Sequence, residues 1–450
     1  MYLDLTTGDI KVQVRKLAIP SSIGFFFHTM YNVTDTYFAG LISTQALSAL
    51  TLSVSIFFMV IAFASGMSQA VTSLVGNALG EKNRQKAAHI ALNSLVLAFI
   101  LAFVLSVLGL SLASYLMQVL GAEGTYLLES LEYINIILFG SIFFILSFFL
   151  NALLNAVGDT KSFRNILIFS SFLNIGFNYW FVFGGLGIEP LGIRGIAFAT
   201  VLTEAITCMY LYYKVDKTSL LVGEENVSLV KTFSLDIKII KELIHQGIPP
   251  SSNLVFMALG IFIITYFVGM HGKEAVAAFG VGMRVEQIVL VPSIGLNVAV
   301  LSIVSQNNGA KNFERIYETL KVAMVYGGVL SLGGMFLLIL GAQPLMSLFT
   351  NDPKVIEEGV VYITVEAFIL YSFVIIFVHI AMLQGIKKPG FIIYISIFRQ
   401  ILAPFVLLAF FSYLGLGLLS IWLAIAGVVT LSALITFLYS RKKLRELTQA

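Results

Sequence analysis

Long apolar runs separated by short polar stretches fill this chain from end to end. A helix rises 1.5 Å per residue, so about 20 apolar residues cross the hydrocarbon core of a bilayer. Twelve runs reach that length, at 16–41, 48–77, 88–118, 129–157, 163–185, 192–213, 245–270, 276–306, 317–347, 357–385, 391–413 and 416–440. Several exceed the minimum, which predicts tilt or extension beyond the lipid. The runs are continuous rather than alternating, which excludes a membrane β-barrel. The pattern predicts an all-α integral membrane protein with twelve transmembrane helices and no sizeable water-soluble domain.

Charge then orients the spans. Of the 27 Lys and Arg, 22 fall on one side if the N-terminus is placed inside, and only Arg194, Lys273 and Lys354 fall in outer loops. Arg284 and Arg399 lie within spans. That bias places both termini in the cytoplasm and requires an even number of spans. Composition agrees: 58% of the 450 residues are apolar and 11% charged, where a soluble domain has roughly 25% charged. The net charge of +3 is spread over short loops and forms no basic patch for nucleic acid. The single cysteine, Cys208, lies in an apolar run and reads as packing. The first apolar run is too long for a signal peptide and reads as a retained helix. No P-loop, HExxH or GxSxG occurs, so no enzyme class is indicated.

A shift of 229 residues lays the second half on the first. Ile19-Pro20-Ser21-Ser22 falls on Ile248-Pro249-Pro250-Ser251, and Val71–Ala87 on Val300–Ile316. Ser73/Ser302, Gly80/Gly309, Lys82/Lys311 and Asn83/Asn312 coincide, and Leu154-Asn155 meets Leu383-Gln384. The reading is an N-lobe over 1–213, a cytoplasmic linker over 214–244 and a C-lobe over 245–450. Six spans per lobe run in the same sense, so a pseudo-two-fold along the membrane normal should relate them. Proteins built this way are commonly transporters that alternate access by rocking one half against the other.

Ionisable groups inside a membrane are costly and usually functional. Asp35 sits in the first span with no Lys or Arg beside it; its counterpart is Ile264. Asn174 and Asn178 share one face of the fifth span; their counterparts are Ala403 and Leu407. A carboxylate and two carboxamides suit a proton or a hard monovalent cation, and only the N-lobe has them. Further candidates for a cavity or substrate site are His28, Glu204, Glu366 and His379, together with Tyr133, which near the outer end of its span reads equally as an interfacial aromatic. Arg284 and Glu286 are close in sequence and read as a local ion network. Arg399, near the inner end of its span, is expected to snorkel toward headgroups.

An ordered set of segments then resembles the multidrug and toxic compound extrusion (MATE) family, and more closely its DinF-like branch. It comprises Ile19-Pro20 leading to Val33-Thr34-Asp35-Thr36-Tyr37-Phe38-Ala39-Gly40; Val75-Gly76-Asn77-Ala78-Leu79-Gly80; Asn155-Ala156-Val157-Gly158-Asp159-Thr160; Asn174-Ile175-Gly176-Phe177-Asn178; Gly195-Ile196-Ala197-Phe198-Ala199-Thr200; Gly282-Met283-Arg284-Val285-Glu286; and Arg399-Gln400 before Pro404. The resemblance implies antiport: export of amphipathic, often cationic drugs and toxins in exchange for H⁺ or Na⁺. It implies an N-lobe cation site made of Asp35, Asn174, Asn178 and Thr200, the first three being the metal ligands if the ion is Na⁺. Two departures stand out. Asn178 replaces an aspartate that some members carry, and spans seven and ten lack the glutamate–aspartate pair of the branch resembling NorM. The expectation is a monomer in a prokaryotic cytoplasmic membrane, with small organic substrates, the bilayer as its surroundings and no cofactor beyond the coupling ion. The alternatives are a lipid-linked oligosaccharide flippase of the same superfamily, or a membrane-embedded enzyme or receptor-like protein.

Overall fold

Inside hydrocarbon no water satisfies the backbone, so each pass must close its own hydrogen bonds, and a helix does this. The structure is a computed structural model and describes residues 3–185, 187–221 and 234–449. The α-helices are α1 (Ile10–Ile42), α2 (Thr44–Gly80), α3 (Arg84–Val119), α4 (Gly124–Phe139), α5 (Ser141–Ala156), α6 (Lys161–Phe183), α7 (Ile193–Lys217), α8 (Ile237–Gly269), α9 (Lys273–Gly309), α10 (Phe313–Ser347), α11 (Pro353–Gly385), α12 (Phe391–Ile397), α13 (Ala403–Tyr413) and α14 (Leu418–Gln449). A π-helical turn, Phe398–Leu402, joins α12 to α13 into one pass.

Ten helical runs are each long and apolar enough to cross a membrane, and α4 with α5 makes an eleventh, bent by 44°. The twelfth pass is α1, 33 residues long. Its hydropathy is lowered by the polar stretch from His28 to Thr36. The protein is therefore a multi-pass membrane protein of twelve helical passes. The expected span at 129–157 is a broken pass, interrupted at Gly140. Helices also continue past several expected ends: α1 begins at Ile10 and α14 runs to Gln449. Hydropathy marks where lipid ends, whereas a helix continues into water as long as its residues favour it.

The expected linker over 214–244 is shorter than its span suggested. Its first residues complete α7, and residues from Ile237 on belong to α8. Residues 222–233, with Lys231, lie outside the described residues. The chain divides into two compact units: Met1–Asp4 with Ile23–Ser251, and Leu5–Ser22 with Ser252–Ala450. The divisions after Ser22 in α1 and after Ser251 in α8 are related by the sequence repeat, and each follows a proline: Pro20, and Pro249-Pro250.

Within each unit the repeat recurs in the backbone. At the end of α2, Glu81 N–H donates to Asn77 O, Lys82 to Leu79 O and Asn83 to Ala78 O. At the end of α9, Ala310, Lys311 and Asn312 donate to Gln306, Asn308 and Asn307. Lys82 and Lys311 both adopt positive φ, +59° and +55°. Gly158 after α5 and Lys387 after α11 form a second such pair, at +81° and +58°. The turn chemistry was duplicated along with the spans.

In the first unit α2 packs on α3, α4 and α5, and α7 packs on α4, α5 and α6. In the second unit α11 is central, packed on α9, α10 and α14. Many serine and threonine hydroxyls satisfy themselves one turn back along their own helix: Ser21 on Leu17 O (2.8 Å), Ser53 on Ala49 O (2.8 Å), Thr36 on Asn32 O (2.7 Å). Carboxylates and carboxamides in mid-span need partners on other helices. Those exceptions locate the site.

Candidate functional site

Asp35 is only 6% exposed. Thr36 spends its hydroxyl on its own helix, so the carboxylate finds its partners elsewhere. Asn178 Nδ2 donates to Asp35 Oδ1 at 2.9 Å, and Thr200 Oγ1 donates to Asp35 Oδ2 at 2.7 Å. Asn178 Nδ2 also donates to Asn174 Oδ1 at 3.1 Å, and Asn174 Nδ2 to Thr200 Oγ1 at 3.5 Å. The four side chains close a ring across α1, α6 and α7. All are buried. The carboxylate thus accepts two donors from different helices.

Local sequence explains the meeting. Asn174 and Asn178 are four apart, so one face of α6 presents both. The α6–α7 connection turns tightly through Gly184 (φ +81°) and Gly192 (φ +56°), and Leu191 N–H returns to Phe181 O at 2.9 Å. A Cβ on Gly195 would lie 2.7 Å from the Phe181 carbonyl, so glycine there lets the start of α7 lie against the end of α6. Thr200 follows on the same helix and comes within reach of Asn174.

One group in the ring is unsatisfied: Asn178 Oδ1 is buried and has no hydrogen-bond partner. The amide nitrogen must face both Asp35 and Asn174, and that turns the oxygen away. A buried oxygen without a donor is costly. With both Asp35 oxygens, Asn174 Oδ1 and Thr200 Oγ1, it makes five oxygens without an ion-paired Lys or Arg among the described residues. Such a donor set fits a hard cation or a proton. At the repeat-related positions stand Ile264, Ala403, Leu407 and, opposite Thr200, Val429. The second unit has no copy of this ring.

That unit has a different acidic cluster. Tyr362 Oη donates to Glu286 Oε2 at 2.7 Å. Glu366, one turn from Tyr362 on α11, is 3% exposed, and its Oε2 has no partner. Arg399, in the π-helical turn, lies close enough for its charge to act on Glu286. A side chain on Gly282 would overlap the Tyr362 ring, so the glycine brings α9 onto α11 and delivers Glu286 one turn later. The expected Arg284–Glu286 network is not formed. Arg284 is exposed and faces away, because neighbours two apart on a helix do not share a face. Arg399 does not simply reach for headgroups either. It is half-buried and serves Glu286.

The other sequence candidates separate. Tyr133 on α4 is buried within reach of the Asp35 charge, and so is not an interfacial aromatic. Glu204 is buried one turn beyond Thr200 on α7. His379 is a core histidine: its Nδ1 lies 2.7 Å from Ile375 O and its ring packs edge-on against Phe437. His28 is half-buried on α1 and is not part of the ring. Cys208 is buried. Tyr31 was not singled out by sequence, yet its hydroxyl is buried, unpartnered and within the fields of both Asp35 and Glu204. Its spacing of four from Asp35 was the available signal.

Comparison with known proteins agrees with the two-unit architecture. The family model MatE matches the chain twice, at residues 20–180 and 250–411. A probable multidrug resistance protein NorM of Thermotoga maritima is 27% identical over 95% of this chain and 91% of its own length. An FAD transporter of Shewanella oneidensis is 26% identical over 88% of this chain and 87% of its own. A solved outward-facing multidrug resistance MATE family transporter of the MOP superfamily has the same fold, with a TM-score of 0.91 over 99% of this chain and 98% of that one, at 24% identity. The duplicated match covers well over half of the residues, and the chain belongs to the MatE family.

Proposed function

We propose that this protein is a secondary transporter that exports small amphipathic organic molecules, cations among them, in exchange for a coupling ion bound at Asp35. H⁺ is the ion we favour, because one lone carboxylate suffices for it. The observation that carries the reading is the closed ring around Asp35, with the orphaned Asn178 oxygen beside it. The names of the relatives supply the substrate class.

The ring suggests how loading changes the protein. In the ionised state both Asp35 oxygens accept, one from α6 and one from α7. Protonation turns one acceptor into a donor. Either Asn178 or Thr200 must then release it, or the Asn178 amide must turn to offer Oδ1. Sodium would act similarly by taking carboxylate oxygens for itself. In each case the tie between α1 and its neighbours is rewritten. A helix with Pro20 lacks one backbone hydrogen bond and bends at low cost. Rearrangement of α1 is the step that would alternate access. One charge crossing 100 mV releases about 2.3 kcal/mol, enough to bias a two-state equilibrium some fiftyfold.

The kinship with an FAD transporter favours a second reading, in which the exported molecule is an organic anion. Inverted membrane vesicles separate the two. Uptake of ethidium under an imposed H⁺ or Na⁺ gradient supports cation export and names the ion. Uptake of FAD but not ethidium moves the substrate to the anion class. Uptake of neither, under either gradient, contradicts the proposed function.

A further inference from the structure

The ring has a second polar layer one helical turn from it, on the side of the basic loops. Each member stands four residues from a ring member on the same helix: Tyr31 from Asp35, Ser170 from Asn174, Glu204 from Thr200. Side chains four apart lie one above the other. Glu204 is 9% exposed, in no ion pair among the described residues, and placed mid-span. A carboxylate there is as costly as Asp35.

The surroundings of Glu204 are polar yet poorly satisfied. Its carboxyl lies beside Ser147 of α5, and Cys208 follows one turn along α7. The Ser147 hydroxyl has no partner of good hydrogen-bond geometry, and neither has Asn151 Oδ1 one turn on. The Tyr31 hydroxyl is likewise buried and unpartnered. It lies near Ser170 and Thr203 and feels both carboxylates. Ser170 itself is paired with Thr207 at 2.8 Å. The titratable groups that feel Glu204 are Tyr31 from α1 and Cys208 from its own helix, and Tyr31 also feels Asp35. On α4, Tyr133 faces Asp35 instead, and α5 and α6 contribute hydroxyls and amides only. Buried unpaired oxygens are rare in packed interiors. Two of them, on Ser147 and Tyr31, near one lone carboxylate make a proton station more than a structural bond.

We propose that Glu204 is a second proton-binding site of this half, exchanging protons with Asp35 through the Tyr31 hydroxyl. In one transfer Asp35 gives up its proton, the tyrosine oxygen accepts it and releases its own, and the Glu204 carboxylate takes that proton. Asp35 ends ionised, tyrosine neutral and Glu204 protonated, so charge and protons balance. The layer lies toward the basic loops, and so Glu204 is the station from which the proton leaves for the cytoplasm. This inference rests on the reading of Asp35 as the coupling site.

Proteoliposomes containing the full chain and a dye for internal pH test it, with ethidium gradients driving proton movement. Glu204→Gln keeps the shape and removes the titration. It should slow ethidium-driven proton movement by about a hundredfold, the low side of what a positioned proton-transfer group contributes. Ethidium binding should be unchanged, and Glu204→Asp should restore part of the rate. One carboxylic-acid band should also vanish from the infrared difference spectrum between acid and alkaline buffer. Tyr31→Phe should slow the movement similarly, and serves if Glu204→Gln fails to fold. Wild-type proton movement in either variant overturns the relay. If Asp35→Asn is inactive while Glu204→Gln is not, the relay alone fails. If Asp35→Asn also moves protons normally, the function proposed above fails with it.

Discussion

The Thr200 hydroxyl donates to Asp35 Oδ2 at 2.7 Å, and this bond closes the ring that Asn178 opens on the other carboxylate oxygen. Two helices thus hold one buried charge from two sides. Removing either donor leaves the charge half-satisfied, at a cost of about 1–3 kcal/mol.

Thr200→Val therefore makes a sharp test. Valine keeps the shape and copies Val429 of the other half. The fold should persist, with an unchanged elution profile in detergent. The coupling-ion concentration giving half-maximal transport should shift about tenfold, corresponding to roughly 1.4 kcal/mol. An unshifted ion dependence would show that the hydroxyl does not sense the loaded state.

Asn178→Leu removes the donor to Asp35 Oδ1 and the bond to Asn174 together. The bonds it loses serve the ionised carboxylate. Their stabilisation is present in alkaline buffer and fades as acid protonates Asp35. The variant should thus lose thermal stability more at high pH than at low pH. Melting curves of purified protein at both extremes check this. An equal loss at both contradicts the charge-holding role of Asn178.

Gly282→Ala pushes a methyl group into the Tyr362 ring. Overpacking of this kind costs about 1–3 kcal/mol. It should also break the Tyr362–Glu286 bond by separating α9 from α11. Tyr362→Phe removes the bond without the clash and should cost about 1 kcal/mol. If the two variants melt alike, the close approach at Gly282 is not what positions Glu286.

Arg315 holds the segment before α1. Its guanidinium donates to Gly8 O (2.9 Å), Gln13 Oε1 (3.1 Å) and Leu5 O (3.3 Å), while Leu5 N–H reaches Gln306 Oε1 at 2.9 Å. Arg315→Ala should speed amide hydrogen exchange of residues 5–9 at least about tenfold. Lysine should not rescue it, because a single ammonium cannot replace the fork. Unchanged exchange would mean that Leu5, buried as it is, holds the segment by packing alone.

Much of this is legible in the sequence alone. Lipid demands long apolar runs, so the passes stand out, and the repeat in punctuation carries over to repeated backbone turns. Asp35, Asn174 and Asn178 were visible as a loss of symmetry against Ile264, Ala403 and Leu407. The Glu286–Tyr362–Glu366–Arg399 cluster was not. Its members come from three distant stretches, and the adjacent Arg284 offered a misleading local partner. The break at Gly140 left no mark either, since apolar residues continue through it. Glu204 stood out as a carboxylate inside a span, whereas Tyr31 looked ordinary alone. Their spacing of four from Asp35 and Thr200 gains meaning once packing brings the ring together.

The most direct measurement compares wild type with Asp35→Asn in inverted vesicles under an imposed ion gradient, following ethidium uptake. The substitution removes the charge and nearly keeps the shape. Gradient-driven uptake in the wild type and its loss in a stably folded variant is the predicted result. Equal uptake in both would contradict the assignment of Asp35 as the coupling residue.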